Sequence, residues 1–339
     1  MNPKLKNIIR FTVFLGIGIF FIWIFLRNLT GAQKQEILNS MGNANYWWIA
    51  LAIPLGVLSH FLRAMRWKML IETMGYKPRN SNMFFAVFIG YFANLALPRL
   101  GEVSRCTILT KYEKVPFQKS FGTVITERVL DMLVFLFLFF LNLVLQAERL
   151  SGYIDEKIYK PLQAKLNLSF DLSGAFSIIM ISFIVVFGII FLIFRKKIAA
   201  NKFYRKIKTM AYGFIEGLKS LVKVRNQWLF FFYTFSIWAL YLLMAYVVFF
   251  SIADSSGLGL DAGLAVLVFG SIGIMVVQGG IGIYPAIVAE TLVLYGVASV
   301  QGYALGWLIW TSQNLTLVIV GIISLILLPI LNNRKNEKA

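Results

Sequence analysis

Long apolar runs recur along this chain and constrain its fold more than any other feature of the sequence. Four of them cover residues 46–62, 121–145, 228–250 and 303–331. Each approaches or exceeds the roughly 20 apolar residues that a helix needs to cross a bilayer. A soluble chain could not cover this much apolar surface, because 59% of its 339 residues are hydrophobic and only 14% are charged. The sequence therefore predicts an all-α polytopic membrane protein.

Two further apolar runs bring the expected number of full spans to about six. The first, residues 11–26, follows a short basic start and resembles the core of a signal peptide. It is long for that role and no small-residue cleavage site follows it, so we interpret it as a retained span. The second, residues 175–194, stops at three consecutive basic residues. We treat residues 1–339 as a single transmembrane domain.

A basic segment, residues 198–227, separates two of the predicted spans. Apolar side chains recur in it at three- and four-residue intervals: Phe203, Ile207, Met210, Phe214, Leu218 and Leu221. This spacing predicts an amphipathic helix. Such a helix either lies on the cytoplasmic membrane surface or packs as a linker on the protein itself, and the pattern is compatible with both.

The distribution of Lys and Arg predicts the orientation of the chain. Of the 33 basic residues, 27 fall at the two ends and in segments on one predicted side of the membrane. Cytoplasmic loops carry this excess, so both termini are expected in the cytoplasm, in a bacterial-type inner membrane. The net charge of +18 is then mainly a topology signal and an attraction to anionic lipids. No nucleic-acid-binding motif accompanies it, and no nucleic-acid partner is expected.

Two apolar segments, residues 83–109 and 261–297, are interrupted by residues that break helices. The breaks contain Pro98 and Gly101 in the first segment, and Gly279, Gly280, Gly282 and Pro285 in the second. If all the basic loops are cytoplasmic, the first segment must enter and leave on the cytoplasmic face and the second on the outer face. The sequence therefore predicts two opposed re-entrant hairpins.

The halves built around these hairpins, about residues 46–145 and 228–331, would be related as an inverted repeat. Interrupted segments in corresponding positions of two halves are typical of secondary transporters. The alternative is a pair of ordinary tight membrane hairpins without transport.

Charged residues follow the first break. Placing a charge within a membrane costs free energy, so these residues are candidates for a functional role. Arg99, Glu102 and Arg105 stand at helical i, i+3 spacing, and Asn94 precedes the break. Glu102 can pair with either arginine and leave the other for a phosphate, whose oxygens suit the planar guanidinium fork. The alternative is a structural ion-pair network.

Glu127, Arg128 and Asp131 place three more charges at the start of the run 121–145. Glu127 and Asp131 lie one helical turn apart, and Arg128 can pair with Asp131. The helix macrodipole favours acids near an N-terminus. Because an unpaired acid would be costly in a membrane, we expect these acids to pair with arginines of the first hairpin.

Arg63 and Arg66, one turn apart and followed by Trp67, fit two interpretations. They either bind a lipid phosphate beneath the tryptophan or anchor a span end at the cytoplasmic interface, and the anchor is the simpler reading. His60 has no neighbouring metal ligands, so no metal is expected. Cys106 is the single cysteine, which excludes an internal disulfide.

Four motifs stand in order along the chain: Arg63-x-x-Arg66-Trp67, Asn94-x-x-Leu97-Pro98-Arg99-x-Gly101-Glu102-x-x-Arg105, Glu127-Arg128-x-x-Asp131 and Gly279-Gly280-Ile281-Gly282. Together they resemble the flippase-like family that is similar to the N-terminal membrane domain of lysylphosphatidylglycerol synthase. The resemblance runs from about Arg63 to the last span and implies lipid translocation. Many members have Arg-Glu-Ala after Gly-Gly-Leu-Gly-Val. Here Ile283-Tyr284-Pro285-Ala286 follows the glycines, and the nearest acid is Glu290.

The full synthases also carry a cytosolic aminoacyl-transferase domain, which we do not expect here because about eight residues follow the last span. The sequence shows no nucleophile–base motif, P-loop or dinucleotide fingerprint, so neither an enzyme nor a cofactor is expected. The prediction is a flippase or transporter that moves an anionic lipid, of phospho- or polyprenyl-phosphate type, between leaflets. One alternative is a non-catalytic membrane partner of a lipid- or glycolipid-modifying enzyme. Another is a membrane enzyme that uses Glu102 and Glu127 as an acid–base pair.

The residues expected to bind or move lipid are Arg63, Arg66, Asn94, Arg99, Glu102, Arg105, Glu127, Arg128 and Asp131. Those expected to shape the breaks, or to lie beside them, are Pro98, Gly101, Gly279, Gly280, Gly282, Pro285 and Glu290.

Overall fold

Helices form all of the regular secondary structure in the part of the chain that the structure describes. The computed structural model describes residues 18–27, 29–97, 99–147 and 224–336, with isolated positions at 12, 16, 149 and 152. In chain order the α-helices are α1 (Gly18–Arg27), α2 (Gly31–Gly42), α3 (Tyr46–Glu72), α4 (Asn80–Ala96), α5 (Leu100–Glu113), α6 (Phe117–Leu145), α7 (Gln227–Val247), α8 (Leu260–Val276), α9 (Ile283–Val293) and α10 (Ser299–Asn336). The all-α prediction is confirmed.

Four described helices, α3, α6, α7 and α10, are long and apolar enough to cross a membrane. They correspond to the four clearest apolar runs of the sequence. Helix α1 covers part of the predicted first span. The predicted span 175–194 and nearly all of the basic segment 198–227 lie outside the described residues, so the total of six spans stays a prediction.

Helix α3 extends well beyond the apolar run that predicted it. Asn45 caps its start, because the Asn45 side chain accepts a hydrogen bond from the backbone N–H of Trp47. The helix then continues past residue 62 to Glu72, and its second half carries Arg63 and Arg66. Both arginines are buried. The interpretation of this pair as an interfacial anchor is therefore wrong, because the helix takes them into the interior of the protein.

The first interrupted segment consists of α4 and α5, which pack against each other. Leu97 is extended, with φ −144° and ψ 132°, as the residue before a proline prefers. Arg99 is left-handed at φ 67°, and α5 starts at the next residue. Gly101 lets the two helices meet, because a Cβ at this position would overlap the carbonyl oxygen of Gly90.

The second interrupted segment consists of α8 and α9, which also pack against each other. Gly279, Gly280 and Gly282, between the two helices, have φ angles of 72°, 70° and 70°. L-residues with side chains rarely adopt this region, so the break depends on glycine. The structure thus contains both interrupted segments as broken helix pairs. Their re-entry from opposite faces of a membrane stays a prediction.

Residues 1–142 and 220–339 form one compact unit, to which all the contacts described below belong. Of a second unit, residues 143–219, the structure describes only 143–147, 149 and 152. Within the first unit, one apolar cluster includes Phe249 and Tyr303. Another includes Trp67 and Cys106, and it borders the charged residues of the first half.

Candidate functional site

Two arginines of α3 and two acids of α6 form a buried ion-pair network. Arg63 donates to Glu127 at 2.8 Å and to Asp131 at 2.5 Å. Arg66 donates to the other oxygen of Asp131 at 2.7 Å and lies 3.5 Å from Glu127. A network of this kind is tolerated in a membrane protein only where it is enclosed by other helices, as it is here.

Helix α5 adds a third arginine to this network. Nη1 of Arg105 lies 3.0 Å from Oε2 of Glu127. The Arg105 guanidinium also lies over the indole ring of Trp67, 4.7 Å from its centroid, at a distance typical of a cation–π contact. The indole N–H of Trp67 donates to the hydroxyl of Thr123 at 2.9 Å, which holds the ring in place. Glu127 of α6 thus pairs with an arginine of the first hairpin, as expected, whereas Asp131 binds only arginines of α3.

Arg128 pairs with Glu102 at 2.7 Å, which connects α6 to α5. Both predicted partners for these residues are therefore wrong: Arg128 does not pair with Asp131, and Glu102 pairs with neither Arg99 nor Arg105. Each side chain finds its nearest partner on a neighbouring helix instead of on its own. The Arg128 side chain is 40% exposed, in contrast to the buried arginines of the network.

The charges in this region do not balance. The four guanidinium groups of Arg63, Arg66, Arg105 and Arg128 face the three carboxylates of Glu102, Glu127 and Asp131. One positive charge is left over among the described side chains of the network. An anion bound beside the network would offset this excess charge, which is costly where solvation is poor.

A cavity of about 380 Å³ adjoins the network. Arg63 and Arg128 contribute their side chains to its wall, together with His60 and Tyr91. The Tyr91 ring lies 5.5 Å from the Arg63 guanidinium and 5.6 Å from that of Arg128, so it separates the two cations. The cavity therefore presents positive charge on the side formed by α3, α4 and α6.

Both helix breaks reach the same cavity. Asn94, near the end of α4, and Gly279, in the break after α8, both lie in its wall. Asn94 accepts a hydrogen bond from the backbone N–H of Gly101 at 2.7 Å, and this contact spans the first break. The Gly279 carbonyl accepts one from the indole N–H of Trp310 at 2.6 Å, which joins the second break to α10.

The structure brings most of the predicted site residues together, but not all of them. The network contains Arg63, Arg66, Glu102, Arg105, Glu127, Arg128 and Asp131, and the cavity wall contains Arg63, Asn94, Arg128 and Gly279. Arg99 is exposed at the first break and lies outside both. Glu290 is exposed on α9 and is likewise outside the cavity wall. Pro98 lies outside the described residues.

The remaining break residues serve packing. The backbone at Gly282 lies against α1 at Gly18 and Ile22, where a Cβ would overlap it. Pro285 is buried against Gly306 of α10, again too closely for a side chain at residue 306. These contacts hold the second break against α1 and α10.

Several residues of the cavity wall were missed by the sequence analysis. They are Tyr241, Ser271, Tyr284, Gln313 and Asn314. Tyr241 accepts a hydrogen bond from Arg63 at 3.1 Å, so it extends the network toward α7. A signal was present for Gln313 and Asn314, because two adjacent amides interrupt the apolar run 303–331. Polar side chains within a membrane-spanning helix usually face the interior of the protein.

His60 and Cys106 occupy buried positions. The His60 imidazole packs against the rings of Phe88, Tyr91 and Tyr241 at the cavity wall. Cys106 is a free thiol in the apolar cluster beside Trp67. Among the described residues no group of three His, Cys, Asp or Glu side chains is placed to hold a metal ion.

Fold and site together define a multi-pass helical membrane protein in which two broken helix pairs enclose a cavity beside buried arginine–carboxylate pairs. A family model for the lysylphosphatidylglycerol synthase transmembrane region matches residues 7–321. The chain belongs to this family, which confirms the resemblance that the four motifs carry.

Curated relatives match parts of the chain. A UPF0104 membrane protein of Methanocaldococcus jannaschii is 34% identical over 137 residues, 40% of each chain. A protein of Haloferax volcanii named glycosyltransferase AglD is 25% identical over 134 residues, 39% of this chain and 21% of its own length. A UPF0104 membrane protein of Methanothermobacter thermautotrophicus is 26% identical over 112 residues, 32% of this chain and 33% of its own. The matches thus span less than half of these relatives. No solved structure matches the chain.

Proposed function

We propose that this protein moves a lipid with an anionic headgroup between the leaflets of a membrane, and that the lipid phosphate binds in the cavity at Arg63 and Arg128. The observation that carries the proposal is the excess of one positive charge in the ion-pair network, two of whose arginines, Arg63 and Arg128, lie in the cavity wall. A phosphate cannot cross hydrocarbon without polar partners, so a carrier must supply them at membrane depth.

Arg128 is the best placed of the four arginines to hold the phosphate. It has one carboxylate partner, its side chain is 40% exposed, and it lies in the cavity wall. Its planar fork suits two phosphate oxygens. Arg66 and Arg105 are almost fully buried against Glu127 and Asp131, which suits them to hold the helices together. Arg99 is exposed at the first break, and we propose that it attracts anionic headgroups toward the protein.

The meeting of both breaks at one cavity supports a transporter-like arrangement. Discontinuous helices that border a central site are the usual construction of secondary transporters. We extend the proposal to two opposed re-entrant pairs, α4–α5 from the cytoplasmic face and α8–α9 from the outer face. Both termini would then be cytoplasmic, in an inner membrane.

Reconstitution into liposomes tests the proposal. Dithionite bleaches fluorescent phosphatidylglycerol in the outer leaflet only, and a protein that moves lipid brings more of it to that leaflet. The rate of this additional bleaching is the translocation rate. Arg128→Ala should lower the translocation rate at least about tenfold, since a hydrogen bond to a charged group contributes about 1.5–3 kcal/mol. Arg128→Lys keeps the charge but loses the fork, so its rate should be intermediate. Arg225→Ala, at an exposed position outside the site, is the matched control and should match the wild type.

Two outcomes contradict the proposal in different ways. Wild-type activity in Arg128→Ala would show that the phosphate binds elsewhere. Absence of translocation by the folded wild-type protein would remove the transport function and favour a membrane partner of a lipid-modifying enzyme. The reading of Glu102 and Glu127 as an acid–base pair has little geometric support, because three guanidinium groups surround the fully buried Glu127.

A further inference from the structure

The cavity has two chemically different walls. The first half of the chain supplies the cationic wall at Arg63 and Arg128. The second half supplies a wall without charged residues. Four polar residues lie in it among apolar ones, and we call these four the neutral wall: Ser271, Tyr284, Gln313 and Asn314. Hydroxyls and amides on this wall can both donate and accept hydrogen bonds, whereas guanidinium groups only donate.

No carboxylate lies in the wall among the residues that the structure describes. The three acids of the region face away from the cavity or are held by arginines. Glu127 is fully buried, Asp131 is bound by Arg63 and Arg66, and Glu102 is bound by Arg128. A cationic group in this cavity would therefore meet two arginines and no counter-charge.

The neutral wall is held in place by its own contacts. The Gln313 amide lies within 3.5 Å of the Tyr284 hydroxyl, and the Asn314 amide donates to the backbone carbonyl of Trp310 at 2.8 Å. The Ser271 hydroxyl donates to the carbonyl of Leu267 at 2.6 Å. These bonds orient the side chains, and a wall that is already ordered loses less entropy when a ligand binds.

The size of the cavity suits a headgroup without its acyl chains. Its volume of about 380 Å³ is near the lower end of the range for small-molecule pockets, roughly 300–1,000 Å³. Ile274 and Met275 lie in the cavity wall and are also 38% and 66% exposed. These apolar side chains lead from the polar interior to the outer surface of the protein, where acyl chains would remain.

We propose that the cavity selects a phosphate headgroup that carries neutral hydroxyl groups, such as a glycerol or a sugar, and rejects a headgroup that carries ammonium groups. Arg128 and Arg63 bind the phosphate, while Gln313, Asn314 and Tyr284 bind the hydroxyls. The inference rests on the proposed function for the movement of the lipid, but the selectivity is a binding property and is measurable without transport.

Equilibrium binding to the purified protein in detergent tests the selectivity. The probes are phosphatidylglycerol, phosphatidic acid and lysyl-phosphatidylglycerol with identical acyl chains, measured by native mass spectrometry. Phosphatidylglycerol should bind at least about tenfold more tightly than the lysylated lipid, because like charges in a poorly solvated site repel. It should also bind a few-fold more tightly than phosphatidic acid, which lacks the hydroxyls. Soluble glycerol 3-phosphate should compete only weakly, because it cannot use the apolar path beside Met275.

Asn314→Asp replaces a neutral amide of the neutral wall by a negatively charged carboxylate with almost no change in shape. This variant should bind phosphatidylglycerol at least about tenfold more weakly and the lysylated lipid more tightly than the wild type does. Asn39→Asp adds the same charge at an exposed position of α2 and is the matched control, expected to bind like the wild type.

Equal binding of phosphatidylglycerol and its lysylated form by the wild type would overturn the inference, as would equal behaviour of Asn314→Asp and Asn39→Asp. If glycerol 3-phosphate competes with an affinity equal to that of the lipid, the site binds a soluble ligand, and this result would also overturn the inference. If the selectivity holds but liposomes show no translocation, the inference stands and the transport function fails. If all headgroups bind and move equally, the transport function stands and the inference fails.

Discussion

Glu127 is the residue on which the buried charges converge. Its carboxylate oxygens lie 2.8, 3.5 and 3.0 Å from guanidinium nitrogens of Arg63, Arg66 and Arg105. These arginines belong to α3 and α5, so one carboxylate of α6 connects three helices. Removal of one member of such a cluster lowers the free energy of unfolding by more than the whole cluster contributes to it, because the charges left behind are poorly solvated.

Replacement of Glu127 by Gln should lower the free energy of unfolding by about 3–5 kcal/mol, because the variant keeps the shape of the side chain and leaves the buried guanidinium groups short of one counter-charge. Glu290→Gln removes the same charge from an exposed position of α9 and should change the stability by less than about 0.5 kcal/mol. The free energies of unfolding of the two variants are measured and compared in the same detergent. Equal stability of Glu127→Gln and the wild type would show that charge does not hold these helices together.

The sequence identified all seven charged residues of the network and the pairing of an acid of α6 with an arginine of the first hairpin, but not the other pairs. Spacing along a helix predicts which residues share a face, and it suggested that Arg128 binds Asp131. In the structure Asp131 binds arginines of α3, and Arg128 binds Glu102 of α5. Pairs between helices depend on how those helices pack, and this information is spread over the apolar contacts of the whole chain.

The two broken helix pairs both border the cavity. In the first pair the glycine contact between α4 and α5 brings the backbones together, and the side chain of Asn94 bridges the break. In the second pair three glycines with positive φ replace the regular helix between α8 and α9. Both pairs depend on the small size or the conformational freedom of glycine at particular positions.

Replacement of Gly101 by Ala should destabilise the protein by about 1–3 kcal/mol, because the added methyl group overlaps the carbonyl oxygen of Gly90 and forces α4 and α5 apart. Gly122→Ala in α6 is the matched control, since its Cβ would meet open space. It should be neutral or stabilising by up to about 1 kcal/mol, as alanine is the better helix former. Thermal unfolding in detergent measures both, and a Gly101→Ala protein as stable as Gly122→Ala would contradict the close approach of the two helices.

At the level of elements, hydropathy and helix breakers predicted well where helices lie and where they break, and less well where they end. The run 46–62 suggested a span that stops at Arg63, whereas α3 continues to Glu72. Hydropathy counts a charged residue as an end because it assumes that the charge meets lipid. Arg63 and Arg66 meet carboxylates of α6 instead, so the helix carries them inside. Hydropathy also gave no weight to the amides of Gln313 and Asn314, because two polar residues change the mean hydropathy of a long apolar run only slightly.

In the part of the first unit that the structure describes, both halves of the chain contribute to one cavity. The proposed orientation places both ends of the pair α4–α5 on the cytoplasmic side and both ends of the pair α8–α9 on the outer side. This arrangement follows from the distribution of Lys and Arg along the chain.

Cysteine labelling tests this orientation. Single cysteines at Lys77, Lys111, Asp254 and Ala298, all exposed, are introduced into a Cys106→Ser background. A membrane-impermeant maleimide should label the first two only in inside-out vesicles and the last two only in intact cells, because each pair begins and ends on one face. Labelling of Lys77→Cys and Lys111→Cys from opposite sides would show that α4 and α5 together cross the membrane. Cys106 itself is buried, and the cysteine-free background is the blank.

The 2.7 Å contact between Arg128 and Glu102 has a consequence for the release of cargo. Under the proposed function, Glu102 competes with the cargo, because one of its carboxylate oxygens already accepts a hydrogen bond from the guanidinium group that an arriving phosphate would bind. Entry of the phosphate exchanges one anion for another, and the net affinity is the difference between the two pairings. A carrier needs such a shallow energy well, since a cargo must bind favourably enough to enter and weakly enough to leave. Glu102→Gln should therefore hold anionic lipid more tightly than the wild type and turn over more slowly.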